Sequence, residues 1–298
     1  MASAHTELSS TMPQTPHSKR LIDLRRSLPT QDGAGVHIQR VHDFRGGLDP
    51  FLMIDELKSD QEDDYIAGFP PHPHRGFETI TYILHGGITH EDSMGHKGEV
   101  HAGGAQWMSA AHGVIHSEMP LKDQQGLHGF QVWINLPAKR KLETPHYRDV
   151  HPQEMGQVNW AHGKLIAIAG HWQTDQGEAQ GALAQLGEKA AMADLRLQGG
   201  SSITLNDADQ YPLLVMPYRG QFNEGPRQGQ LGIYKDGNTV TLSSPEDTGA
   251  LLFTGPPLRE PIAHYGPFVM NTEQELQQAI EDYQSGALIE RAVIDETR

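Results

Sequence analysis

The sequence predicts an all-β protein made of two tandem β-barrels of the jelly-roll type, with one C-terminal α-helix. Its candidate strands are short and alternate apolar with polar residues, the pattern of strands buried on one face. The 32 glycines and 19 prolines supply turns between them. At 298 residues the chain is long enough for two cores of ordinary size.

Residues 1–19 read as a disordered leader, polar throughout and without the apolar run of a secretory signal. Val36, Ile38 and Val41 alternate with polar neighbours and indicate an early strand. The acidic run Asp55, Glu56, Asp60, Glu62, Asp63 and Asp64 lacks the glycine and terminal glutamate of an EF-hand, so a solvated loop is expected there. Residues 78–84 form a clear strand with Ile80, Tyr82 and Leu84 on one face, ended by Gly86 and Gly87. Strands follow at 105–110 and 130–136, the second aligning Phe130, Val132, Ile134 and Leu136.

A polar, proline-bounded connection between 136 and 152 changes the texture of the chain. It divides the sequence into an N-terminal barrel over 20–146 and a C-terminal barrel over 147–298. In the second, strands are expected at 164–169, 201–205, 213–218, 239–242 and 251–254. The helix is signalled by a capping box from Thr272 to Glu275, by Leu276, Ala279, Ile280 and Tyr283 at helical spacing, and by Gly286 as a stop.

Composition excludes several functions. With 23 Lys and Arg against 38 Asp and Glu, the formal net charge of −15 opposes any electrostatic grip on a phosphate backbone, so no direct nucleic-acid binding is expected. The absence of cysteine removes disulfides and thiolate metal sites. No segment approaches a membrane span. A cytoplasmic protein is expected.

The chemistry concentrates between His72 and Glu118. His72 with His74, and His116 with Glu118, are i, i+2 pairs, which point the same way on a β-strand. If the two segments are neighbours, four donors share one face. Three imidazoles and a carboxylate suit a borderline first-row metal, and on an octahedral ion they leave about two positions open. Each pair alone is weaker evidence, because an isolated H-x-H on a surface strand is usually two solvated histidines. The other five histidines of the stretch, His85, His90, His96, His101 and His112, show no second ordered pairing and read as polar loop or turn residues. Glu78, four residues after His74, competes for a ligand role. The second half carries His151, His162, His171 and His264 singly, so its barrel is expected to be metal-free.

H-x-H-x3-E, a glycine-rich turn and a downstream G-x-x-H resemble the two motifs of the cupin superfamily. The strings at 49–56, 72–79, 90–93, 106–108 and 116–120, with 260–262 and 265–272 near the other end, resemble the pirin family within it. The resemblance spans about residues 20–290. It implies two cupin barrels, and one divalent metal per chain, usually Fe(II), on His72, His74, His116 and Glu118. It also implies that Glu78 stays off the metal.

Two classes of function follow from that resemblance. One is a dioxygenase that cleaves a flavonol such as quercetin, taking a small-molecule substrate and dioxygen, with Glu118 as candidate base and Glu78 in reserve. The other is a metal- and redox-dependent binding protein whose partner is a transcription regulator or a metabolic enzyme. An open, apolar-walled pocket at the metal favours the first, and a sealed site the second. Phe51, Met53, Phe69, Phe77 and Met119 are candidates for its walls, with Phe77 better suited to the core.

Overall fold

Alternating strands close into two barrels, each with a seven-stranded antiparallel sheet facing a four-stranded one. The computed structural model describes residues 16–290 apart from 124, 185 and 207–210. In the first barrel the large sheet runs His146–Val150, Ala105–Ser109, Phe77–His85, Leu127–Asn135, Phe51–Ser59, Val36–His42, Leu28–Asp32. Its small sheet runs Phe69–His74, Val114–Pro120, Gly87–Asp92, Lys97–His101. The second barrel repeats the plan, with Arg20–Arg26 at one edge of its large sheet and Gly156–Trp160 at the other.

The apolar faces legible in the sequence point between the barrels. Ile80, Tyr82, Phe130, Val132 and Ile134 of the first large sheet join Ile166, Ile168, Met216, Leu251 and Phe253 of the second in one buried cluster. The inner faces differ between the barrels. The second barrel is filled by Leu165, Trp172, Leu195, Ile203, Phe222, Leu252 and their neighbours. The first has an apolar cluster at one end, where Ile38, Leu57, Ile83, Ile88 and Leu127 meet. Its other end carries polar side chains.

The acidic run is a correction to the sequence reading. Asp55 and Glu56 are buried in the strand Phe51–Ser59, not in a solvated loop. Each has a partner that the local sequence does not reveal: Arg40 on the adjacent strand for Asp55, and His128 at 2.8 Å for Glu56. Asp60, Glu62 and Asp63 are exposed in the bend and turn that follow, and Asp64 is half-buried there.

Two strands lie across the division expected at 146/147. His146–Val150 pairs with Ala105–Ser109 of the first barrel, and Arg20–Arg26 pairs with Gln230–Lys235 of the second. Of the expected leader, residues 1–15 lie outside the described residues. The amides of His17 and Lys19 donate to Asn238 Oδ1 and to the Thr239 carbonyl, so they join the second barrel.

The chain then returns to the first barrel. The hairpin of Ala263–Tyr265 and Phe268–Met270 sits beside Arg75, whose carbonyl accepts from the Val269 amide at 3.0 Å. The helix Glu273–Ser285 packs Leu276 and Ala279 on that hairpin, capped by Thr272 with Glu275 at one end and by Gly286 at φ 84° at the other. Among the described residues no helix is long and apolar enough to cross a membrane.

Asp194 is a fully buried carboxylate in the layer between the barrels. It accepts from Tyr82 Oη at 2.9 Å, from Tyr218 Oη at 2.7 Å and from Arg196 at 2.6 and 2.9 Å. Burial, and then this carboxylate, push both tyrosine hydroxyls above their usual range. Asp194→Ala strands two hydroxyls and a guanidinium, and is expected to destabilise the protein by about 3–5 kcal/mol, read from urea unfolding. A loss below about 1 kcal/mol would show that water reaches this layer.

Candidate metal centre

The register of the small sheet assembles the cluster. On Val114–Pro120, His116 lies directly opposite His72 on one side and Asp92 on the other, and Glu118 lies opposite His90. The i, i+2 alternation turns His72, His74, His116, Glu118 and His90 to the inner face. Nitrogens of His72, His74 and His116 lie within 4.8 Å of one another, and the same limit encloses His90, His116 and Glu118. His116 belongs to both groups and so links the predicted His72 and His74 to the predicted Glu118, which groups with His116 and His90; among the described residues no one group holds all four.

Hydrogen bonds fix which nitrogens face inward. His72 Nδ1 lies 2.8 Å from the Pro70 carbonyl and His74 Nδ1 lies 3.4 Å from the Pro267 carbonyl. A carbonyl only accepts, so each Nδ1 carries the proton and each Nε2 presents a lone pair. Those two Nε2 atoms are 3.1 Å apart. Two lone pairs aimed at each other repel unless a cation lies between them, and metal–nitrogen bonds of about 2.1 Å place adjacent octahedral corners about 3.0 Å apart. His116 Nε2 is buried and has no hydrogen-bond partner. Burial, and then the neighbouring imidazoles, hold His74 and His116 well below the ordinary histidine range, hence in the neutral form a metal requires. The donor set fits a metal ion.

The large sheet orients the carboxylate. Thr81 Oγ1 donates to Glu118 Oε1 at 2.9 Å, and Gln131 Nε2 donates to Oε2 at 3.1 Å. Glu78 lies on the opposite face of its strand from Thr81, fully buried toward the second barrel. Its carboxylate accepts from the Gly187 amide at 2.7 Å and from Trp107 Nε1 at 3.1 Å. Burial raises its pKa despite those donors. This position rules it out as a reserve base at the cluster.

His90 is a second correction, because it is a buried strand residue and not a loop histidine. Its Nδ1 lies 3.5 Å from His116 Nδ1, and its Nε2 lies 3.4 Å from Asp92 Oδ2, both long contacts. Asp92 in turn faces His96 Nδ1 at 2.9 Å. Burial would lift the Asp92 carboxyl, but His90, His96 and two backbone amides hold it at about 2. An ionised Asp92 keeps the His90 proton on Nε2, which leaves His90 Nδ1 to accept from His116 Nδ1 and so frees His116 Nε2. The spacing of His90 and Asp92 is itself an i, i+2 pair, the signal that could have found them.

The C-terminal hairpin completes the site. Besides the Pro267 carbonyl on His74, Arg75 donates to Asp282 of the helix at 2.7 Å and to the His112 carbonyl. Gly76, at φ 88°, lies so close to the Val269 carbonyl that a β-carbon would collide with it. Lys141 Nζ bridges the Gly76 carbonyl, Asn135 Oδ1 and the Val269 carbonyl at 2.6, 2.6 and 3.0 Å.

A solvent-open cavity of about 690 Å³ runs from His72, His74 and Glu118 between the large sheet and this hairpin. Met53 and Phe69 line it as expected, joined by Trp133 and by Phe44, which stacks on His264 with centroids 3.6 Å apart. Of the other expected wall residues, Phe51 packs between the barrels, Phe77 packs with Leu52 and Val269, and Met119 points outward. Clefts of about 850 and 1010 Å³ lie elsewhere, but neither reaches the histidines.

Comparison with known proteins places these features in a family. The family model described as Pirin matches residues 34–134, and the Pirin C-terminal cupin domain matches 192–289. A Vibrio cholerae protein named "putative quercetin 2,3-dioxygenase" is 45% identical over 263 residues, 87% of this chain and 93% of its own. Human pirin is 34% identical over 268 residues, 85% of this chain and 88% of its own. The crystal structure of quercetin 2,3-dioxygenase from Acinetobacter baumannii superposes with a TM-score of 0.82 at 30% identity, covering 91% of this chain and 99% of that one.

Removing the imidazole behind His116 tests the account of the cluster. His90→Ala is expected to weaken divalent-metal retention about 10–100-fold, measured by competition with a chelator, whereas His96→Ala at the half-exposed end leaves it nearly unchanged. Equal retention by His90→Ala and wild type would remove His90 from the orientation of His116.

Proposed function

The chain belongs to the pirin family, and on that premise we propose that it is a dioxygenase opening a flavonol such as quercetin, with one iron ion held by His72, His74, His116 and Glu118. The observation that carries the proposal is the open cavity of about 690 Å³ with His72, His74 and Glu118 at its base. A metal- and redox-dependent regulator would be served as well by a sealed site, so the opening favours turnover.

When bound, iron supplies Lewis acidity and one-electron chemistry with dioxygen. The protein's own part is positional and acid–base. Trp133, Phe69 and the Phe44–His264 stack provide flat walls that hold a planar substrate and exclude water from its rings. Glu118 borders the cavity and takes the proton of the substrate's acidic hydroxyl, while Thr81 and Gln131 keep the carboxylate in one orientation through the transfer. Three other groups hold the imidazoles in the tautomers described: the Pro70 and Pro267 carbonyls, and His90.

The test is oxygen uptake with quercetin. Iron-loaded protein is expected to consume dioxygen, and chelation to stop it. Glu118→Gln is expected to lose much more turnover than bound metal, the signature of a base. Parallel loss of both would reduce Glu118 to a ligand. Fully loaded protein that binds flavonols and never turns them over would overturn the enzymatic reading in favour of the regulatory one.

A further inference from the structure

The cavity has a second polar end. Gln131, which holds Glu118, lies opposite Asp55 on the next strand, and Asp55 lies opposite Arg40 on the strand after that. Two interstrand steps of about 4.8 Å set Arg40 roughly 10 Å from the Gln131 rung. Asp55 and Arg40 border the same cavity as Trp133, Phe44 and His264. The space between the two polar ends therefore has flat walls and the length of a molecule of two or three aromatic rings.

The chemistry of this end is specific. Arg40 Nε donates to Asp55 Oδ1 at 2.8 Å, and Nη2 donates to Asp55 Oδ2 at 2.6 Å and to Asp32 Oδ2 at 2.5 Å. Its Nη1 makes no hydrogen bond among the described residues. Each Asp55 oxygen keeps a second lone pair. The ion pair thus offers a guanidinium donor on one edge and carboxylate lone pairs on another, the complement of neighbouring phenolic hydroxyls, which both accept and donate. An ion pair that only tied two strands together would have no need to face a substrate-sized cavity, and apolar residues would serve that purpose as well.

We infer that Arg40 and Asp55 recognise the hydroxyls of the substrate's pendant ring and so set the preference among flavonols. This rests on the dioxygenase reading for the chelating end. Asp55 accepts the phenolic proton in a hydrogen bond, Arg40 Nη1 donates to a phenolic oxygen, and no covalent step is involved.

Two flavonols separate the possibilities. Quercetin carries hydroxyls on its pendant ring, and galangin has the same chelating edge with that ring bare. Binding to iron-loaded protein without dioxygen, followed by tryptophan fluorescence and calorimetry, removes turnover from the measurement. Wild type is expected to prefer quercetin by on the order of tenfold or more, the range of a hydrogen bond to a charged group. Asp55→Asn is expected to bring the two affinities to within about twofold with galangin affinity and iron content retained. Should Asp55→Asn fail to fold, Arg40→Lys, which keeps the charge and loses the planar fork, is expected to do the same. Equal affinities in wild type, or an unchanged preference in the folded variants, would overturn the inference and leave the dioxygenase reading intact. Failure of wild type to bind either flavonol would remove the dioxygenase reading itself.

Discussion

Period-two alternation on the strand Val114–Pro120 is the constraint on which the site depends. Because His116 and Glu118 must share a face, and because His72 sits directly opposite His116, a shift of one residue in the register would turn donors to solvent. The opposing sheet answers this with Thr81 and Gln131, which reach across to the carboxylate. Carbonyls and a buried histidine then set the protons on the imidazoles. No donor is placed by its own segment alone.

The two barrels share a topology and divide the work. Both large sheets use apolar outer faces to pack against each other, with Asp194 satisfying the tyrosines that meet there. What separates the barrels is the inner face. In the second it is filled with leucine, isoleucine and tryptophan, whereas the first places Arg40, Asp55, Thr81 and Gln131 at comparable depth and so stays open. The second half still serves the site, since its hairpin lends the Pro267 carbonyl to His74 and its helix lends Asp282 to Arg75. This link gives the second barrel a physical role: it is the support on which the closing segment is hung.

Much of this was legible in the sequence, and the limits have physical causes. Strand alternation marked 78–84 and 130–136, and a capping box with a glycine stop marked the helix Glu273–Ser285, because these signals are local. The paired donors at 72, 74, 116 and 118 were legible for the same reason. Alternation says which residues share a face but not what the face meets, so the apolar side of 78–84 gave no sign that it met a second barrel. Asp55 looked solvent-exposed because its partner Arg40 lies 15 residues away on another strand. Pro267 acts through its backbone from 193 residues away, where side-chain identity carries no information. His90 was within reach, since its spacing to Asp92 follows the rule that identified the other pairs.

The central claim is that one ion is held by three imidazoles and one carboxylate at the base of the open cavity. Anomalous diffraction at the iron edge from crystals of the iron-loaded protein tests it most directly. The account predicts a single peak per chain, bounded by Nε2 of His72, His74 and His116 and by a carboxylate oxygen of Glu118, with His90 outside coordination. A peak ligated by His90 in place of His72 and His74, or two peaks in one chain, would contradict it.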